Sequence, residues 1–146
     1  MNYKTVLIVF FLVITGLSSS FAKGNQLEDA QIKAKTEGKL IFMNFSGSDW
    51  CRSCMILKKT ILESPEFKTF ANKNLVLVDI DFPRKKKNQL TAEQTNYNEK
   101  LAEKYNKDGQ FPTIIILDSD MNIVAKTGYK NLSPSQYVDH IKSLIN

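Results

Sequence analysis

Residues that bind metals or cross-link chains are scarce here: two cysteines and one histidine among 146 residues. Two cysteines cannot supply a four-cysteine zinc site within one chain. Nor can they staple a disulfide-dense miniature scaffold. Glycine and proline are also few, at 6 and 4, while 42% of the chain is hydrophobic and 24% charged. That balance excludes a collagen, a disordered tail and a coiled coil. Neither sign of charge dominates: 20 Lys+Arg against 15 Asp+Glu leave a net of +5. So mild an excess makes nucleic acid or an anionic surface something to test rather than to infer. No internal repeat and no linker interrupts the chain, and its length fits one domain.

One long apolar run is present, residues 6–14, and its nine residues fall well short of the ~20 a membrane-spanning helix needs. Lys4 precedes it, and Ser20-Phe21-Ala22 follows with small residues at both positions that determine cleavage. Residues 1–22 therefore read as a secretory signal peptide cleaved near Ala22, the alternative being an uncleaved N-terminal anchor. The segment lacks cysteine, which excludes a lipid-modified cysteine at the cleavage point. Removing these 22 residues leaves a domain of 124, residues 23–146; removing Lys4, their one charge, lowers the net from +5 to +4. The destination is then outside the cytoplasm, where disulfides persist.

Along the remaining chain, Asn25 is a candidate cap for a helix over 26–37, with Gly38 as its left-handed terminator. The apolar run 40–45 predicts a strand covered on both faces. After a loop at 46–50, a helix is expected from Cys51 to Leu62, with Met55, Ile56, Ile61 and Leu62 on its apolar side. Ser64-Pro65-Glu66 starts a short helix carrying Phe67 and Phe70. Residues 75–80 predict a second strand, and a basic stretch, Arg84-Lys85-Lys86-Lys87, follows. Thr91 to Gln94 has the form of a capping box opening a helix to about Tyr105, with Tyr97, Leu101 and Tyr105 on the inner face. Strands at 113–117 and 123–126 are close enough for a hairpin. Ser133-Pro134 opens a last helix bearing Tyr137, Val138 and Ile141. The first two strands can lie parallel through a crossover, and the last two should be antiparallel. The expected architecture is α/β: a mixed sheet of about four strands with helices on both faces.

The chemistry concentrates at Trp50-Cys51-Arg52-Ser53-Cys54. Two cysteines three apart in the first turn of a helix can close a small ring. The first sulfur faces unpaired N–H groups and the positive end of the macrodipole, which favour an anion. That lowers the Cys51 thiol pKa and makes Cys51 the nucleophile, with Cys54 resolving the mixed disulfide. Such a motif alone also fits an inert structural disulfide, or a copper- or zinc-binding module using both thiolates. A strand end before it, a helix start after it, and an exported chain with no further cysteine favour the redox reading.

At these residues the chain resembles the thioredoxin superfamily, from about Lys39 to Lys142. The resemblance is carried by the Trp50–Cys54 motif after an apolar strand, by Phe111-Pro112-Thr113 before the hairpin, and by Gly128. Gly47 to Cys51 and the stretch from Asp79 to Pro83 look like exported bacterial thioredoxin-like proteins. These are similar to the soluble end of transmembrane thiol–disulfide interchange proteins. The resemblance implies a three-layer thioredoxin-like fold and a periplasmic thiol–disulfide oxidoreductase, most simply a reductase of other proteins' disulfides. A disulfide oxidant or isomerase is the alternative within the class. It implies no cofactor beyond the Cys51–Cys54 pair and no metal. Protein disulfide substrates and a membrane thiol–disulfide electron donor are the expected partners, with no nucleic acid and a monomeric chain. Pro112 is expected to be cis, leaving the Phe111 backbone free to pair with an extended substrate segment. Trp50, Phe111, Pro112 and Thr113 form the expected substrate-binding set, with Trp50 capping the site.

Four positions are expected to tune the site. Asn44 stands where many thioredoxins carry a buried acid, and it cannot titrate. Asp49 is a possible substitute, though such a loop acid is more often merely solvated. Arg52 would favour the thiolate and Asp49 oppose it, with Ser53 completing the dipeptide between the cysteines. Arg84 to Lys87 most simply form a solvated loop, and His140 a half-exposed helix residue.

Overall fold

The computed structural model describes residues 26–146. The expected signal segment, the domain start at 23 and the Asn25 cap lie outside these residues. Helix α1 spans Gln26–Glu37 and stops at Gly38, whose φ of +65° glycine adopts at no steric cost. The first apolar run becomes β1, Leu40–Ser46, and the second becomes β2, Leu75–Asp81. β3, Thr113–Leu117, and β4, Ile123–Gly128, complete one sheet in the order β2-β1-β3-β4. β1 and β2 are parallel, with Leu40 opposite Leu75 and Ser46 opposite Asp81. β1 with β3 and β3 with β4 are antiparallel. Three strands run slightly past their sequence expectation because ladder pairing continues into polar residues that hydropathy alone does not mark.

Side-chain alternation in β1 splits the core in two. Ile41, Met43 and Phe45 face α1 (through Leu27, Ala30 and Ala34) and α4, Ala92–Tyr105. Phe42 faces the other way, toward α3, Pro65–Asn74, and α5, Pro134–Ile145, where it packs with Phe67 and Tyr137. The result is three layers. The Phe42 and Phe67 rings meet edge to face at 5.5 Å. Ser64 and Ser133 cap α3 and α5 through the N–H groups of Phe67 and Gln136, each with proline in the first turn. Among the described residues no helix is long and apolar enough to cross a membrane.

Two local expectations change. The helix expected over Cys51–Leu62 is α2, Arg52–Ile56, with Cys51 as its cap, continuing as a π-helical turn over Leu57–Leu62. Its buried stripe is Cys54, Leu57 and Ile61, at i, i+3 and i+7, whereas Met55 is 43% exposed and Ile56 and Leu62 are half-buried. Seating Cys54 inward fixes the rotation and turns its neighbour Met55 out. In α4 only half of the capping box forms. Thr91 accepts from the Gln94 N–H, but the Gln94 side chain donates to Asn98 Oδ1 instead of returning to the cap. Gln94 and Asn98 are buried alongside Tyr105, while Tyr97 and Leu101 are only partly covered. The Tyr97 hydroxyl accepts from the Leu27 N–H and donates to Glu28, and burial pushes its pKa up to about 12.

Candidate active site

The loop between β1 and α2 is tied down before the cysteines are reached. Ser48 donates to the Asp81 carboxylate through both N–H and hydroxyl, at 2.9 and 2.6 Å. The Cys51 N–H returns to the Gly47 carbonyl at 2.9 Å. Trp50 lies against Gly47 so closely that a β-carbon there would stand 2.6 Å from the indole nitrogen. Glycine is thus needed at 47 for space.

Cys51 caps α2, and its sulfur accepts from the Cys54 N–H at 3.3 Å. The two cysteines are joined as a disulfide, with Cα atoms 5.3 Å apart. Both are buried, at 6% and 3% exposure, so accessibility hardly distinguishes them. What does distinguish them is the backbone N–H aimed at Cys51. The Ser53 hydroxyl lies 3.5 Å from the same sulfur. Arg52 is exposed in the first turn of α2.

Across the site the Phe111–Pro112 bond is cis. Gly128 is held beside it: a β-carbon there would meet the Pro112 carbonyl oxygen at 2.8 Å. The Tyr137 hydroxyl donates to the Gly128 carbonyl at 2.9 Å, and burial raises the pKa of that phenol. Thr113 is buried, and its hydroxyl donates to the Gln110 carbonyl at 2.9 Å, bracing the turn before β3. The Phe111 ring meets the Trp50 and Phe82 rings edge to face, each at 5.5 Å. Trp50 and Phe111 are therefore brought together, one beside the cysteines and one beside the cis bond. A groove of about 430 Å³ lined by Ser53, Pro112, Thr113 and Tyr129 runs on one side of Phe111. A cleft of about 490 Å³ lined by Trp50, Phe82, Leu90 and Asn98 opens on the other.

Asn44 is buried in β1, donates to Asp79 Oδ1 at 3.0 Å, and has no partner for its own carbonyl oxygen among the described residues. Asp49 is neither merely solvated nor turned to the cysteines. Its carboxylate accepts from the Arg84 N–H at 2.9 Å, the Lys85 N–H at 3.0 Å and the Asn88 amide at 2.8 Å. The Arg84 N–H is the main cause that holds its pKa below the ordinary carboxylate value. The basic segment is thereby fastened, and the Arg84 guanidinium lies 3.7 Å over the Trp50 ring. The indole N–H donates to the Phe82 carbonyl at 2.7 Å. Sequence reasoning missed this clasp, because Asp49 and Arg84 are 35 positions apart and no pattern joins them. His140 is bonded to the Thr127 hydroxyl at 2.9 Å and packs on Tyr137. No group of three or more potential metal ligands occurs among the described residues.

Comparison with known proteins agrees with this geometry. The thioredoxin-like family model matches residues 22–119. The chain is 36% identical over 112 residues to the disulfide bond reductase DsbH of Chlamydia pneumoniae, covering 77% of this chain and 66% of that one. It is 29% identical over 101 residues to the thioredoxin-related protein DsbJ of the same organism, of which it spans 28%. The chain thus falls just short of two thirds of the first relative's length and well short of the second's. A solved DsbH oxidoreductase superposes with a TM-score of 0.75 at 35% identity, over 81% of this chain and 80% of the other. The C-terminal domain of Neisseria meningitidis DsbD, in its oxidised form, shares the fold at a TM-score of 0.56 and 19% identity, over 84% and 97%.

Proposed function

The chain belongs to the thioredoxin-like family, and from that membership we propose that it is an exported reductase of disulfides in other proteins, working through Cys51 and Cys54. The observation that carries the reading is the Cys51–Cys54 pair at the start of α2, facing a cis Phe111–Pro112 bond. The similarity to a protein named as a disulfide bond reductase supports the direction. The reading includes a cleaved signal segment over 1–22 and a periplasmic domain over 23–146.

The cycle starts from the dithiol. The Cys51 thiolate, favoured by the Cys54 N–H, attacks one sulfur of the substrate disulfide. A Cys51–substrate S–S bond forms, the substrate S–S bond breaks, and the departing thiolate takes a proton. Cys54, as thiolate, then attacks the Cys51 sulfur and releases the second substrate thiol. The substrate gains two electrons and two protons, and the Cys51–Cys54 disulfide closes. A membrane dithiol donor, or dithiothreitol in vitro, returns the two electrons. In this cycle Trp50 and Phe111 flank the approaching segment, and the backbone at Phe111 to Thr113 pairs with it as an added strand.

Insulin reduction tests the reading. Cys51→Ser should abolish turnover, and Cys54→Ser should accumulate a mixed disulfide with the substrate. Turnover that survives Cys51→Ser would overturn it. A reduction potential of about −120 mV would instead assign the chain to the oxidants.

A further inference from the structure

Segment 82–90, between β2 and α4, forms a wall beside the redox motif while taking no part in the electron transfer described above. Asp49 and Trp50, immediately before Cys51, hold it in place through four hydrogen bonds to Phe82, Arg84, Lys85 and Asn88. Arg84 to Lys87 are four consecutive exposed cations. None of them joins an ion pair among the described residues. Arg84 lies on the Trp50 ring and lines the 490 Å³ cleft together with Phe82, Leu90 and Phe111. Asp81 and Glu99 line the same cleft. The Asp81 carboxylate is occupied by Ser48 and the Phe82 N–H. A partly apolar cleft with Arg84 at its lining therefore begins one residue from the sulfur that would attack, and the exposed Lys85 to Lys87 follow Arg84 on the same segment.

We propose that segment 82–90 is a substrate-selecting wall: it favours polypeptides that place an acidic residue beside the target disulfide and an apolar side chain in the cleft. The proposal rests on the reductase reading and names its substrate class. Charge complementarity across an interface raises association rate and suppresses wrong partners, so the effect belongs in kcat/KM. A lipid surface would meet the cations but leave the cleft that Arg84 lines empty. Nucleic-acid bases would need a free aromatic face, and Trp50 carries Arg84 on its ring.

The test compares two oxidised peptides, identical except that one carries Glu-Glu and the other Gln-Gln beside a single disulfide, with dithiothreitol as donor. The chain should reduce the acidic peptide with kcat/KM about tenfold higher at low ionic strength, and the preference should shrink as salt is raised. Joint Lys85→Glu, Lys86→Glu and Lys87→Glu should remove the preference, with reduction of the neutral peptide showing that the variant is folded. Lys33→Glu with Lys35→Glu on α1 should keep it. Rates for the two peptides within about twofold of each other would overturn the proposal and leave the reductase reading intact. Failure to reduce either peptide would overturn both. An unchanged preference in the triple variant, together with lost binding to phosphatidylglycerol vesicles, would make the segment a lipid contact and overturn the proposal.

Discussion

A single methyl group at Gly128 is enough to probe the site. Its β-carbon would stand 2.8 Å from the Pro112 carbonyl oxygen, a backbone atom that cannot swing aside as a side-chain tip can. Gly128→Ala should therefore lower stability by about 1–3 kcal/mol, the usual cost of forcing a group into a packed region. Urea unfolding checks this, and insulin reduction should fall with it because Pro112 shifts. A wild-type midpoint would mean that the two backbones are free to separate. The position of Gly128 after an apolar strand was visible in the sequence; its contact partner, 16 residues earlier, was not. Asp49 gives the opposite lesson. Its neighbours in sequence are the redox residues, yet its hydrogen bonds go to Arg84, Lys85 and Asn88. A carboxylate close to a nucleophile in sequence need not act on it.

At the scale of the element, α2 shows why rotation is harder to read than existence. Met55, Ile56 and Leu57 are all apolar and consecutive, so periodicity alone leaves the inward direction ambiguous. The buried Cys54 resolves it, selecting Leu57 and Ile61 and leaving Met55 outside. Ile61→Ala should cost about 2–5 kcal/mol, while Met55→Ala should stay within about 0.5 kcal/mol of wild type. Thermal or chemical unfolding separates the two, and equal losses would contradict the observed stripe. By contrast the starts of α3 and α5 were legible to the residue. Ser64-Pro65 and Ser133-Pro134 are local signals, with cap and first helical position adjacent in sequence. The strands were legible for a similar reason, as short and mainly apolar runs. The Thr91 box formed only halfway because Gln94 is drawn inward to Asn98, a tertiary demand that its spacing from Thr91 does not announce.

For the whole molecule, acid sensitivity combines two kinds of group. Burial, then the nearby Lys130, lowers the His140 pKa from its ordinary 6.5. The folded chain then binds fewer protons there than the unfolded chain. Its contribution is present above pH 6.5 and is lost as the pH falls through the lowered folded value. Asp49 and Asp118 are held below their ordinary 3.8, mainly by hydrogen bonds from Arg84 and Asn122 respectively. Their contributions persist until the pH falls past 3.8 toward those lower values. The melting temperature should accordingly decline in two stages as acid is added, and His140→Gln should flatten only the first. A first stage of unchanged slope in that variant would remove His140 as its source. The parallel pairing of β1 with β2 and the antiparallel pairing of β3 with β4 followed from the order of helices and strands, whereas the antiparallel pairing of β1 with β3 did not. That the two halves of the site meet was legible only through the family resemblance, not from residue patterns, because the Cys51–Cys54 turn and the Pro112 turn come together only once β3 lies antiparallel beside β1.

The bonds from Asp49 and Trp50 to segment 82–90 also limit how this chain can be re-engineered. Transplanting the basic segment alone onto another scaffold would lose the acceptor of its three N–H bonds and the indole beneath its arginine. The exchangeable unit is discontinuous: Gly47 to Trp50 together with residues 82–90. A chimera that moves only one part should lose ordered exchange protection at the Arg84 and Lys85 amides.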